Sequence, residues 1–117
     1  MNMAYHVIDR EELKAKMARM GRKLQLWNVL PKESFKTEEN IPGSKWLPVE
    51  ILEETLGAVN VRKDEEVVLY CGGVDCTASK TAAGILAKNG FTKILLYEGG
   101  LKAWKDAALP LVKLEAR

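Results

Sequence analysis

Cysteine and histidine are scarce in this chain: two of the first and one of the second stand among 117 residues. Two cysteines fall far below the density of a disulfide-stapled scaffold. The expectation is therefore a protein that folds on its own hydrophobic core and works in a reducing compartment, the cytoplasm. One histidine is too few to complete a common zinc set. The Cys-x4-Cys spacing of Cys71 and Cys76 also differs from the Cys-x2-Cys of redox and zinc motifs, so no metal and no other cofactor is expected. Long apolar runs are missing as well; none exceeds about five residues, too short to cross a bilayer. Eighteen basic and sixteen acidic residues leave a formal charge of +2. That excess is too small to suggest a nucleic-acid or membrane-surface partner. The opening Met1-Asn2-Met3-Ala4-Tyr5-His6 carries no basic-then-apolar leader, so no secretory signal is expected. There is neither an internal repeat nor a low-complexity linker, and the length suits one domain spanning residues 1–117.

What is present is a regular alternation of strand and helix patterns. Tyr5 to Ile8 reads as a short strand. Asp9 follows as a helix N-cap, with Glu11 and Glu12 in the first turn, Leu13, Met17 and Met20 along one face, and Gly21 as the stop. Leu24 to Leu30 predicts a second strand, Ser34 to Asn40 a polar turn or loop, and Ile41-Pro42-Gly43-Ser44 a turn. A brief strand at Lys45-Trp46-Leu47 precedes a helical pattern from Pro48 to Leu56. Glu66 to Tyr70 and Lys93 to Tyr97 are continuous apolar runs, the mark of strands buried on both faces of a parallel sheet. Between them Ala78 to Asn89 predicts a helix packing through Ala82, Ile85 and Leu86, and Leu101 to Ala107 predicts a last one. Such alternation calls for a parallel sheet covered by helices on both faces.

In open α/β sheets ligands bind beyond the carboxyl ends of the strands. Tyr70 to Lys80 occupies such an end. Gly72 and Gly73 permit a tight curl, and the N–H groups of Gly72, Gly73, Val74, Asp75, Cys76 and Thr77 run into a helix N-terminus that carries partial positive charge. A thiol in that field is favoured as thiolate, and Cys71, the first residue after the strand, is the candidate nucleophile. The plainer reading makes Cys71 a small buried hydrophobe. Cys76 is open between a resolving thiol, a pocket wall and an ordinary helix-start residue. Lys80, one turn into the helix, either faces an anion or is simply solvated. His6 is expected to be structural, and Trp27, Trp46 and Trp104 to pack in the core or at its rim. Glu98-Gly99-Gly100 is expected to do no more than turn the strand into the helix.

Three segments in order carry a resemblance to the rhodanese-like domain family, which covers about Tyr5 to Val112. LQLWNVLPKESFKTEENIPG (24–43) resembles the family's second strand, loop and Ile-Pro-Gly turn. Residues 67–91 resemble its strand, cysteine loop, helix and Gly-Phe, and LYEGGLKAW (96–104) is similar to its Glu-Gly-Gly-x-x-Ala-Trp signature. The resemblance implies a five-stranded parallel sheet flanked by helices on both faces. It also implies transfer of sulfane sulfur as a persulfide on Cys71, with a small sulfur donor and a thiol or protein acceptor as partners. Some positions depart from the family's pattern. Asn28 and Leu30 stand where it usually has an aspartate and an arginine, and Asn40 where it has a histidine. The cysteine loop is longer, lacks arginine and contains Asp75, which opposes a dianion such as thiosulfate. Cys76 could act as an internal acceptor leaving a Cys71–Cys76 disulfide, which requires Cα atoms within about 7 Å. The alternatives are a non-catalytic binding or thiol redox-sensing module and, third, a phosphatase or arsenate reductase.

Overall fold

The two most continuous apolar runs of the chain become the middle of its sheet. In the computed structural model, which describes residues 5–114, β4 spans Glu66–Tyr70 and β5 spans Lys93–Tyr97. From Val67 to Tyr70 and from Ile94 to Tyr97 every side chain is buried, which for a strand requires cover on both faces. β1 (His6–Ile8), β2 (Gln25–Asn28) and β3 (Lys45–Trp46) complete a five-stranded, all-parallel sheet in the order β1-β5-β4-β2-β3. Both faces carry helices, as the sequence pattern and the resemblance predict. The expected leader-free start at Met1–Ala4 and the last residues of the expected 1–117 domain lie outside the described residues.

Helix α1 (Arg10–Met20) begins with the expected Asp9 cap. Asp9 accepts from the Glu12 amide and Glu12 accepts from the Asp9 amide, so two otherwise orphaned N–H groups are satisfied reciprocally. Leu13 is buried completely, while Met17 and Met20 pack partly exposed against the same core. The helical pattern after Pro48 resolves into only one α-turn, α2 (Leu52–Thr55), between 3₁₀ turns at Val49–Ile51 and Leu56–Ala58. Thr55 Oγ1 donates back to the Ile51 carbonyl, a local bond that competes with regular helix. α3 (Ala78–Lys88) lays Ala82, Ala83 and Leu86 on the sheet, with Ile85 half-buried, and α4 (Gly100–Asp106) buries Leu101 and Trp104. Trp27 and Trp104 are core residues, and Trp46 lies at the rim with its ring stacked on Phe35 at 3.8 Å.

β2 is shorter than its apolar run. Val29 still donates to the Tyr70 carbonyl at 2.9 Å, but the next free amide, Leu30 N–H, goes to Asn28 Oδ1 at 3.0 Å rather than to a neighbouring strand. Asn28 Nδ2 donates to Asn40 Oδ1 at 2.8 Å, and Asn40 donates in turn to the carbonyls of Lys36 and Thr37. Beside this pair the Tyr70 hydroxyl accepts the Ile41 N–H at 3.1 Å and meets Ser44 Oγ at 2.8 Å. Burial pushes the Tyr70 hydroxyl above its ordinary pKa, against the lowering effect of these bonds. A buried, neutral hydrogen-bonded layer thus underlies the carboxyl ends of β2 and β4.

Tyr97 is the counterexample: its hydroxyl is buried and finds no partner among the described residues. Removing a satisfied hydroxyl leaves the Ile41 amide orphaned, whereas removing an unsatisfied one relieves a desolvation cost. Tyr70→Phe is therefore expected to lower the unfolding free energy by about 1–3 kcal/mol, and Tyr97→Phe to leave it unchanged or raise it by up to about 1 kcal/mol, as read from urea denaturation.

Candidate functional site

The chain leaves β2 toward β3 on one side and leaves β4 toward β5 on the other, although β2 and β4 are neighbours. Their carboxyl ends therefore flank the point where the connections diverge, the usual place for a crevice in an open parallel sheet. Cys71 is the first residue beyond β4. Leu30 and Gly72 line a groove of about 450 Å³ there, with Lys36, Lys102 and Lys105 supplying cations and Glu39 and Asp106 anions. Lys102 pairs with Asp106 and Lys105 with Glu39. These lysines lie outside the cysteine loop, where the sequence pattern shows no cation; α4 brings in Lys102 and Lys105 and the loop after β2 brings in Lys36, and the spacing of Lys102 and Lys105 behind a Gly-Gly pair is the sequence signal for them.

Cys71 itself is 2% exposed, and its sulfur is bonded to that of Cys76, which is half-buried. The two Cα atoms are 6.4 Å apart, inside the range that a disulfide tolerates. Although the two cysteines do not staple the fold, they are joined across the loop where the chemistry is expected. Ser79 Oγ lies 3.5 Å from Cys71 Sγ. A sulfur in a disulfide carries no proton, so the hydroxyl donates. Ser79 is buried in the first turn of α3, and this contact sets the sulfur beside that helix N-terminus. Thr77, the residue before the helix, offers no side-chain cap. Among the described residues no backbone or side-chain acceptor takes the Val74, Asp75 or Thr77 amides. The Cys76 amide departs from the expected cradle: it donates to the Gly73 carbonyl at 3.0 Å and is occupied by the turn.

The remaining expected site residues divide. Val74 projects into solvent at 65% exposure, and Asp75 is exposed. Lys80 is neither turned to the loop nor freely solvated; it forms an ion pair with Glu98 at 3.6 Å. His6 is exposed on the edge strand β1, pairing with Leu95 two strands from Cys71.

The glycine requirement also moves. Gly72 and Gly73 adopt no left-handed backbone, and Gly72 has room for a side chain. The demanding position is Gly100, at φ +60°, where a Cβ would stand 2.5 Å from the Cys71 carbonyl oxygen and 2.8 Å from the Gly73 nitrogen. That close approach lets the Leu101 N–H reach the Cys71 carbonyl at 2.9 Å and the Lys102 N–H reach the Gly72 carbonyl at 2.8 Å. Glu98-Gly99-Gly100 is thus more than a strand-to-helix turn; it holds the base of the cysteine loop.

Gly100→Ala is expected to cost about 1–3 kcal/mol from backbone conformation alone and to displace the Cys71–Gly73 backbone. Gly84→Ala, on the open face of α3, is expected to gain up to about 1 kcal/mol. Thermal unfolding measures both, and alkylation of the reduced protein should be perturbed in Gly100→Ala alone.

Comparison with known proteins agrees with this architecture. The profile of the Rhodanese-like domain matches residues 9–107. A Synechococcus elongatus protein that carries thiosulfate sulfurtransferase as a provisional name is 33% identical over 73 residues, covering 62% of this chain and 22% of that protein. A rhodanese-like domain protein from Staphylococcus aureus has a solved structure that is 26% identical, covers 94% of this chain and 99% of its own, and superposes with a TM-score of 0.75. A full-length protein from Lactobacillus plantarum reaches a TM-score of 0.79 at 25% identity, over 92% of this chain and 88% of its own. The human single-domain sulfurtransferase, 23% identical over 86% of this chain and 95% of its own, shares the fold with a TM-score of 0.70. With its five-stranded sheet, its cysteine at the divergence of β2 and β4 and its Glu-Gly-Gly turn beneath that cysteine, the chain belongs to the rhodanese-like domain family.

Proposed function

We propose that this domain is a sulfurtransferase in which Cys71 carries sulfane sulfur as a persulfide and passes it to a thiol acceptor. The observation that carries the reading is the position of the Cys71 sulfur: at the divergence of β2 and β4, against the uncapped first turn of α3, with the Ser79 hydroxyl at 3.5 Å. A helix N-terminus and a hydroxyl donor both favour negative charge on sulfur, which activates the nucleophile and steadies the persulfide anion that it becomes.

The cycle starts once a thiol reductant opens the Cys71–Cys76 bond. The Cys71 thiolate attacks the outer sulfur of a donor R–S–S⁻; the new S–S bond forms as the donor's breaks, and R–S⁻ leaves. An acceptor thiolate then attacks the terminal sulfur, becomes the persulfide and restores the Cys71 thiolate. Gly72, Gly73, Val74, Asp75 and Thr77 shape the rim of this site, and the free amides among them are the donors available to a bound anion. The donor is better matched by a persulfide or polysulfide than by thiosulfate. Asp75 stands on the loop, no arginine or lysine lies between Cys71 and Ser79, and Lys80 is held by Glu98. The absence of an arginine in that loop counts equally against the phosphatase and arsenate-reductase reading. The thiol chemistry calls for a compartment that keeps Cys71 reducible, and the cytoplasm supplies it. Among the described residues no helix is long and apolar enough to cross a membrane.

Reduced Cys76→Ser protein, whose adduct has no internal thiol to meet, is expected to gain sulfur at Cys71 when exposed to glutathione persulfide or polysulfide and weighed intact. Cys71→Ser should abolish the gain. An adduct that persists in Cys71→Ser, or none in any variant that retains Cys71, would remove the sulfurtransferase reading and leave a binding or redox-sensing module.

A further inference from the structure

The cysteine loop contains its own acceptor. Cys71 and Cys76 sit on one loop with Cα atoms 6.4 Å apart, and they are bonded while the Leu101 and Lys102 amides still hold the Cys71 and Gly72 carbonyls. The disulfide is therefore reached without releasing the clamp beneath the loop. The two residues differ in access: Cys71 is 2% exposed, whereas Cys76 is half-buried. They differ in environment too: among the described residues Cys71 alone has the Ser79 hydroxyl beside its sulfur, at 3.5 Å. No lysine or arginine lies between the two cysteines to form an ion pair with a persulfide and hold it away from Cys76.

From this arrangement we infer that the domain is a sulfide-releasing persulfide reductase that is reset by a dithiol. The inference rests on the persulfide reading given above. Cys76 attacks Cys71 Sγ, the inner sulfur of the persulfide. The Cys71–Cys76 bond forms as the bond to the outer sulfur breaks, so Cys71–S–S⁻ and Cys76–SH become the disulfide and HS⁻. The sulfane sulfur is reduced to sulfide and the two cysteine thiols are oxidised to one disulfide, so the proton of Cys76 and the pair of electrons leave with the product. A dithiol then attacks the sulfur of Cys76, the more accessible residue, and expels Cys71 as the thiolate, the better-stabilised leaving group of the two. Its second thiol attacks the mixed disulfide and frees Cys76. The dithiol is oxidised to its own disulfide and the domain returns to its starting state. A vicinal dithiol suits this better than a monothiol because the second step is intramolecular.

The test is a single turnover on the full chain, reduced and freed of reductant. Wild type, Cys76→Ser, Cys76→Ala and Cys71→Ser are each mixed with a stoichiometric amount of glutathione persulfide, and intact mass and free sulfide are followed together. Both Cys76 variants are expected to keep a one-sulfur adduct. Wild type should lose that adduct about 100-fold faster or more, the gain expected of an attacking thiol held on the same loop. It should end two hydrogens lighter than the reduced chain with one sulfide released, whereas Cys71→Ser should release none above the donor's own background. A wild-type adduct as long-lived as that of the Cys76 variants would overturn this inference and leave the sulfurtransferase reading standing. Failure of every variant that retains Cys71 to form an adduct would overturn both.

Discussion

Two backbone hydrogen bonds hold the rest of the site in place: Leu101 N–H to the Cys71 carbonyl and Lys102 N–H to the Gly72 carbonyl. They join the first turn of α4 to the loop after β4, and they exist because position 100 has no Cβ to collide with the cysteine backbone. With that base fixed, Cys71 leaves the central strand in one direction only, its sulfur against Ser79 and its bond to Cys76 across the loop. The loop itself has few other protein contacts through its amides, so its shape depends on what lies beneath it.

Below the site lies a layer of neutral polar groups. Asn28, Asn40, Tyr70 and Ser44 are buried and hydrogen-bonded to one another or to backbone. The family pattern would place charged or titratable groups at positions 28 and 40. Here two amides do the same structural work, taking the Leu30 amide and tying the 36–41 segment to the sheet, without the desolvation that a buried charge brings. The local field at the cysteine loop is consequently set by α3, Ser79 and Asp75 rather than by buried ions. The nearby lysines belong to the groove on the Gly72 side, where two of the three are paired with carboxylates.

Much of the fold was legible in the sequence because burial on both faces leaves a plain signal. Glu66–Tyr70 and Lys93–Tyr97 are strands at the limits that their apolar runs predict, and α1 starts at the Asp9 cap. Legibility failed where a side chain intervened in backbone pairing. Nothing in LQLWNVL announces that the Asn28 side chain will take the Leu30 amide, and nothing after Pro48 announces that the helical pattern will resolve into short turns. The place of Cys71 directly after a buried strand is legible in the sequence, where a Cys71–Cys76 bond stands only as one option that the sulfur chemistry allows. Ser79 is not legible there, because its partner lies eight residues away across a loop whose path is set elsewhere. Gly100 was misread for a related reason. Its sequence neighbours suggest only a turn, and the close approach that forbids a side chain comes from a strand that pairs with its own.

The central claim is that Cys71, once reduced, is a thiolate nucleophile held at the start of α3. Its most direct measurement is the rate at which the reduced Cys76→Ser protein alkylates at Cys71 as a function of pH. A half-maximal rate well below about 8.5, shifted upward when Ser79→Ala is added, is the expected result. A titration at the ordinary thiol value that is indifferent to Ser79 would contradict the account.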